Sequence, residues 1–227
     1  MHEPSWQGSG IHRRLDNWRV NTVWAFGILA AANVALAFYL NSEVLTDEAY
    51  RALLAEQGSP SDAEALLALT RRWEAIGYLL APLTLFLRIG VMALLVQLAL
   101  VLLGRRTPLL RVFRAGTWAQ YAFLLGTLAQ LIWIATLPAG GITSATLEAT
   151  PGSILGLIPS AAAIDDSLRI LLQRITLFDF GWILLFTLGL EDQDRVPGLD
   201  AGAAVVAVWT VSVLGRWGFW LYLGGLV

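Results

Sequence analysis

Five long apolar segments decide what this chain can fold into. A helix needs roughly 20 predominantly apolar residues to cross the hydrocarbon core of a bilayer, and each segment has about that length. The segments lie at about 22–40, 75–103, 116–137, 169–190 and 203–225. Only 14% of the residues are charged, against about 25% in soluble domains. The sequence therefore predicts an all-α, polytopic membrane bundle with about five transmembrane helices, formed by residues 22–227.

The arginines between the segments predict the orientation of the bundle. Cytoplasmic connections of membrane proteins retain an excess of basic residues, and all 15 basic residues of this chain are arginine. The second connection carries Arg105, Arg106, Arg111 and Arg114, which we expect to form a cytoplasmic basic face. An odd number of spans then gives a cytoplasmic N-terminus and an external C-terminus. The arginine usage and the abundance of Ala, Leu and Gly suggest a GC-rich bacterial genome, and so a bacterial cytoplasmic (inner) membrane.

The N-terminal tail, residues 1–21, has the pattern of a helix that lies in the membrane interface. Ile11, Leu15 and Trp18 recur at i, i+4 and i+7, with charged and polar residues between them. This spacing is typical of a short amphipathic helix with one apolar face. A disordered tail is the alternative interpretation.

The outer loop, residues 41–74, contains two helical patterns. The first, TDEAYRALLAEQ, stops at a Gly-Ser-Pro sequence, and the second opens with the capping box SDAE at 61–64. No helix breaker separates the second pattern from the second span, so we expect one long helix over residues 62–103, bent near Pro82 and projecting from the membrane. The apolar part of the third connection, SILGLI, is too short to span, and we expect it to fold over the outer surface.

Three charged residues lie inside the predicted spans. A rise of about 1.5 Å per residue places Asp179 roughly 15 Å into the fourth span and Arg88 about 15 to 20 Å into the second. Arg216 lies about 14 Å from the outer end of the fifth span. An isolated charge at this depth costs several kcal/mol. We therefore expect an intramembrane pair between Asp179 and Arg88, with Arg216 sharing the acid or reaching toward the interface.

The role of this charged group stays open between two main interpretations. A buried pair sets the register between helices in some proteins, whereas intramembrane Asp and Arg residues also mark proton and ion pathways. Snorkelling to the interface and contact with a partner subunit are further possibilities. The sequence contains no internal repeat and no second acid at depth to support a transport route.

Small residues at intervals of four predict where helices approach closely. Gly27, Ala31 and Ala35 form such a series in the first span, and Ala122 with Gly126 forms one in the third. Small residues allow two helix backbones to pack against each other in membranes. We expect packing within the chain, and packing against a second subunit is the alternative.

The composition excludes several classes of function. The chain has no cysteine, and its only histidines, His2 and His12, lie in the tail. The sequence therefore offers no metal site in the membrane and no His-dependent protease dyad, and no nucleophile with an activating base is apparent. We expect neither enzymatic activity nor a cofactor, and the net charge of −2 favours no nucleic-acid partner.

Two stretches resemble a known family of membrane proteins. One is APLTLFLRIGVMALLVQLALVLLGRRTPLLRVFRAGTWAQYA at 81–122, and the other is LFDFGWILLFTLGL at 177–190. Their Pro-led second span, the Leu-Leu-Gly turn, the basic segment and the Phe- and Trp-bearing fourth span are similar to those of the bacterial members of the Yip1/Yif1 (Yip1-domain) family. The resemblance implies a multi-pass protein without known catalysis that acts through partners or bilayer shape.

The sequence thus predicts a non-enzymatic interaction or organising component of the membrane. Its partners would be the lipid bilayer and a membrane protein or a second copy of the chain. Two alternatives remain, an accessory subunit of a larger membrane complex and a small proton- or ion-coupled transporter that uses Asp179 and Arg88.

Overall fold

The computed structural model describes residues 22–56, 63–137, 151–158, 165–194 and 196–224, and these residues are helical apart from short connections. The α-helices in this part of the chain are α1 (Thr22–Tyr39), α2 (Asp47–Glu56), α3 (Ala63–Leu102), α4 (Leu109–Ala135), α5 (Asp166–Arg174), α6 (Leu177–Asp194) and α7 (Gly198–Gly224). A π-helical turn, Leu40–Val44, follows α1, and a 3-10 turn, Leu155–Leu157, precedes α5.

Four of these helices are long and apolar enough to cross a membrane. The four segments are Thr22–Val44, Glu64–Leu102, Leu109–Ala135 and Gly198–Phe219. The predicted fourth span does not reach this standard, because the structure divides 169–190 between α5 and α6. The apolar part of α6, residues 177–190, is shorter than the roughly 20 residues that a span needs.

The prediction of one long helix after the outer loop is confirmed. Helix α3 has 40 residues and continues through Pro82, which corresponds to about 60 Å, roughly twice the thickness of the hydrocarbon core. One end of α3 therefore extends well beyond a bilayer. Helix α2 packs against this projecting end.

Helix α4 starts earlier than predicted. Its first residue is Leu109 and its N-cap is Pro108, which has a φ of −61°. Proline has no amide hydrogen to donate and its fixed φ is compatible with a helix start. Arg111 and Arg114 consequently belong to α4, not to the connection in which the sequence analysis placed them.

The core lies between α3, α4, α6 and α7, and the pair α4 and α6 forms the most extensive helix contact. Close approach depends on small residues, as predicted for Ala122 and Gly126. A Cβ added at Gly126 would lie 3.0 Å from the Phe178 ring, and one added at Gly181 would lie 3.4 Å from the Ala122 Cβ. These two contacts confirm that the small residues of α4 form a helix-packing face.

The expected packing of the α1 series within the chain is wrong, which leaves packing against a second subunit as its alternative. Gly27, Ala31 and Ala35 are all exposed, and a Cβ added at Gly27 would meet nothing within 4 Å. The buried face of α1 instead carries Ala25, Leu29 and Ala30. Leu29 is fully buried and α1 contacts α3 and α4, so the small residues of the series lie on the outer face of the helix.

The bundle has two distinguishable sides. We call the side of the short connection 103–108 the turn side, and the opposite side the loop side. Arg105 Nε donates to Asp200 Oδ2 at 2.7 Å, which places the start of α7 on the turn side. Helix α6 therefore brings the chain from the loop side back to the turn side.

Candidate functional site

Asp179 lies in the first turn of α6, not in the middle of a span. Its carboxylate is 4% exposed. Oδ2 accepts hydrogen bonds from the Thr176 backbone N–H and from Thr176 Oγ1, both at 2.8 Å. Oδ1 accepts a hydrogen bond from Trp209 Nε1 on α7 at 3.1 Å. The acid is thus a helix-capping group that also ties α6 to α7.

The chain before Asp179 is non-helical and is held by a second segment. Ser153 forms an antiparallel bridge with Thr176, in which Ile154 N donates to Ile175 O at 2.9 Å and Leu177 N donates to Gly152 O at 3.0 Å. This contact adds a backbone pairing to the third connection, which we expected to fold over the outer surface. The bridge interrupts the helix at 175–176 because it takes up the backbone groups that a continuous helix would use.

The break lies inside the bundle. Gly126, which packs against Phe178, is nine residues from the loop-side end of α4 at Ala135, or about 14 Å along the helix. Non-helical backbone at membrane depth is tolerated only where protein partners satisfy its polar groups. Asp179 and the bridge together supply those partners.

The three charged residues of the spans meet at one cleft, but they do not form the predicted ion pair. Among the residues that the structure describes, no salt bridge within 4.0 Å joins Asp179 to Arg88 or Arg216. The carboxylate accepts its hydrogen bonds from Thr176 and Trp209 instead. Arg88 instead lies over the Phe123 ring, with 4.8 Å from Cζ to the ring centroid. Arg216 Nε donates to Ser212 O at 3.3 Å.

The cleft has a volume of about 470 Å³ and is formed by α3, α4, α6 and α7. Aromatic and apolar side chains form most of its surface. The residues that line it are Arg88, Met92, Phe123, Asp179, Trp182, Trp209, Val211, Ser212, Gly215 and Arg216. Two guanidinium groups and one hydrogen-bonded carboxylate give the cleft a formal charge of +1.

The predicted basic face is partly neutralised. Arg105 pairs with Asp200, Arg106 is exposed, and Arg111 and Arg114 both make contacts within the chain. The predicted interfacial helix with Ile11, Leu15 and Trp18 lies outside the described residues.

A second polar cluster fixes α2 to the projecting end of α3. Arg71 donates to Asp47 Oδ1 through Nη2 at 2.6 Å and to Glu74 Oε2 through Nη1 at 3.0 Å. Arg71 also donates to the backbone oxygens of Asn41 and Leu45, at 3.3 and 3.4 Å. Arg71 thus connects α2, α3 and the π-helical turn after α1.

Replacing Arg71 with alanine should release α2 from α3. A helix of 10 residues is marginal without tertiary support, so we expect amide hydrogen exchange in residues 47–56 to accelerate by about tenfold or more, the effect of losing one charge-assisted hydrogen bond. The neighbouring exposed Arg72 provides the control, and Arg72→Ala should leave the exchange of α2 unchanged. Equal exchange in the two variants would contradict the role assigned to Arg71.

The sequence analysis missed Thr176 and Trp209, the donors to Asp179. The sequence Thr176-Leu-Phe-Asp179 matches the spacing of a capping box before an apolar run, so the contact between Thr176 and Asp179 could have been predicted. No local sequence pattern points to Trp209, because Trp209 and Asp179 are 30 residues apart in the sequence.

The described residues contain no cluster of three or more His, Cys, Asp or Glu side chains that could hold a metal ion. In comparisons with family models, with curated proteins and with solved structures, no match to this chain was found.

Proposed function

We propose that this protein is a non-enzymatic, multi-pass membrane component that acts by binding another membrane protein, as the resemblance to Yip1-domain proteins implies. In this proposal α6 also crosses the membrane and is the fourth of five crossings along the chain. The N-terminus and the turn side are cytoplasmic, and the loop side is external. The host membrane is a bacterial cytoplasmic membrane. The observation that supports the proposal most strongly is an exposed apolar face on the projecting end of α3.

This face, which we call the apolar seam, consists of Leu66, Leu69, Trp73 and Ile76. The four side chains are exposed, with Leu69 at 52% and Trp73 at 57%. Their spacing of three, four and three residues is that of the a and d positions of a coiled coil. A partner helix with the same apolar periodicity fits such a surface.

The apolar seam belongs to a segment that is unsuited to lipid. Glu64, Arg71, Arg72 and Glu74 lie in the same three turns of helix, and charged side chains are costly in the hydrocarbon core. A neighbouring face of the segment carries the buried Leu67 and the Arg71 cluster that holds α2, and Leu69 and Trp73 border the same cleft as Arg71. The seam is therefore presented on a braced helix outside the bilayer, where a contiguous apolar surface favours a protein partner.

The exposed Arg72 lies beside the apolar seam. Charged residues that flank an apolar helical seam select partners through charge pairing. We propose a partner helix that combines an apolar seam with an acidic residue opposite Arg72. An accessory subunit of a larger membrane complex is the variant of this function that such a partner would indicate.

The transporter alternative has weaker support. A relay requires an acid whose oxygens can exchange protons along a path, whereas the oxygens of Asp179 accept three hydrogen bonds from Thr176 and Trp209. The two residues proposed for the relay, Asp179 and Arg88, are also not joined by a salt bridge.

The native mass of the protein tests the proposal. We expect the wild-type chain, extracted from its own membranes in a mild detergent, to migrate in an assembly larger than a monomer with a second membrane protein. The double variant Leu69→Gln and Trp73→Gln should migrate as a lone chain, because two glutamines in a helical seam remove its apolar contacts. The control, Ala68→Gln, changes an exposed neighbour off the seam and should keep the assembly.

Two results would contradict the proposal. One is a wild-type protein that migrates as a lone monomer, and the other is an assembly that survives the double variant. If the assembly contains only copies of this chain, the partner is a second copy, and the seam is still the interface.

A further inference from the structure

We infer that the cleft around Arg88 and Arg216 binds the headgroup phosphate of an anionic phospholipid. This inference concerns a different surface from the apolar seam and does not depend on the proposed function. It rests on the charge of the cleft, on the commitment of Asp179 to its donors, and on the exposed apolar side chains of α7 that border the cleft.

The two arginines leave positive charge uncompensated. Arg88 and Arg216 line the same cleft, on α3 and α7 respectively. Neither guanidinium forms a salt bridge among the described residues. Two like charges in a low-dielectric cleft repel each other, and an anion between them would convert this repulsion into attraction.

A phosphodiester matches this arrangement in chemistry and in charge. The planar fork of a guanidinium donates two parallel hydrogen bonds to phosphate oxygens. One negative charge also cancels the formal charge of +1 that Arg88, Arg216 and Asp179 give the cleft. A headgroup with no cation of its own is favoured, because the two guanidinium groups outweigh the one carboxylate and repel a headgroup cation.

Two stacked aromatic residues line the same cleft. Trp182 is 1% exposed, and its Nε1–H has no acceptor among the described residues. Trp182 stacks on Phe123, with 6.0 Å between the ring centroids, and Phe123 in turn carries Arg88 on its face. The aromatic wall thus holds one guanidinium in position.

The cleft borders exposed apolar side chains of α7, a helix that is long and apolar enough to cross a membrane. Val211, which lines it, is 65% exposed, and the neighbouring Leu214 is 49% exposed. The side chains of Arg88 and Arg216 are also exposed when no lipid is bound. A ligand that enters from this side arrives from the bilayer, which identifies a lipid as the source of the phosphate and provides an apolar surface for its acyl chains.

The shape of the cleft supplies a blocking variant. Gly215 lines the cleft, and a Cβ added there would meet nothing within 4 Å. Gly215→Leu should therefore fill part of the cleft without disturbing the helix packing. Gly27→Leu is its matched control, because Gly27 has equally free surroundings on an exposed face of α1.

The experiment measures lipid adducts by native mass spectrometry. Purified protein in detergent is titrated with dioleoyl phosphatidylglycerol or with dioleoyl phosphatidylcholine. We expect the wild-type chain to bind the anionic lipid about tenfold more tightly, because both lipids offer the phosphodiester but Arg88 and Arg216 repel the choline cation of phosphatidylcholine. Arg88→Gln with Arg216→Gln should abolish the preference, and so should Gly215→Leu. The controls, Arg72→Gln with Arg106→Gln and Gly27→Leu, should retain it.

Photocrosslinking keeps the inference testable if the arginine variants fail to fold. A photoreactive amino acid at Val211 should crosslink phosphatidylglycerol in preference to phosphatidylcholine, whereas one at the exposed Leu98 should show no preference. Absence of a preference in the wild-type chain, its survival in Gly215→Leu, or equal crosslinking at the two positions would overturn the inference. Displacement of the lipid by inorganic phosphate at equal concentration would overturn the assignment to a lipid.

Discussion

Asp179→Ala should lower the free energy of unfolding by about 3 kcal/mol. The substitution leaves two donors, the Thr176 N–H and the Trp209 indole N–H, without an acceptor, and an unpaired buried donor costs about 1 to 3 kcal/mol. Thr176 Oγ1 also loses its acceptor, although a hydroxyl can rotate toward another one. Asp179→Asn should be less severe, since the amide keeps one acceptor oxygen. Unfolding of the purified protein by heat or by denaturing detergent measures these effects.

Asp165 provides a matched control for this prediction. It also caps a helix, since Asp165 Oδ2 accepts a hydrogen bond from Ser167 N at 3.0 Å, but at an exposed position. Loss of an exposed cap costs typically about 1 kcal/mol, so Asp165→Ala should destabilise the protein less than Asp179→Ala does. A fully stable Asp179→Asn protein that had lost an ion or proton flux would contradict the capping role and favour the transporter alternative.

Gly189→Leu should destabilise the bundle by about 3 kcal/mol, at the upper end of the usual cost of overpacking. A Cβ added at Gly189 would lie 3.0 Å from the Ala115 Cβ and 3.2 Å from the Ala115 Cα. Backbone atoms cannot turn aside as a flexible side chain can, so α4 and α6 would have to separate. The thermal midpoint of the purified protein should fall accordingly.

The control for Gly189 is a glycine with free surroundings. Gly27→Leu adds the same side chain where nothing lies within 4 Å of the new Cβ, and leucine has a higher helix propensity than glycine by roughly 1 kcal/mol. Its stability should be unchanged or higher. A similar loss of stability in both variants would mean that the α4 and α6 contact is looser than its geometry indicates.

The sequence predicted the long helices because their signals are local. The capping box at 61–64 and the absence of a breaker between it and the second span at residue 75 were sufficient to predict one continuous α3. The division of 169–190 between two helices could not be predicted in the same way. The sequence RITLFDF continues an apolar run, and the interruption depends on pairing with residues 152–154, more than 20 positions earlier.

The two series of small residues show a second limit of sequence reasoning. Gly27, Ala31 and Ala35 have the same spacing as Ala122 and Gly126, yet only the pair on α4 packs against another helix of the chain. Spacing identifies a face that can pack closely, whereas the position of the neighbouring helices decides whether it does. In the same way, the sequence could indicate that three charged residues lie within the spans. It could not indicate that Trp209 and Thr176 would donate hydrogen bonds to the Asp179 carboxylate.

Labelling of single cysteines in native membranes tests the central claim, that a partner protein covers the apolar seam of α3 outside the bilayer. The absence of natural cysteine means that Leu69→Cys and Ala68→Cys give reactive groups without background. A membrane-impermeant maleimide is applied from the side that α3 projects into. We expect the cysteine at 68 to react, and the cysteine at 69 to be protected until the protein is purified in detergent. Equal reaction at the two positions in native membranes would contradict a covered seam. Failure of both cysteines to react even after purification would contradict the location of the seam outside the bilayer.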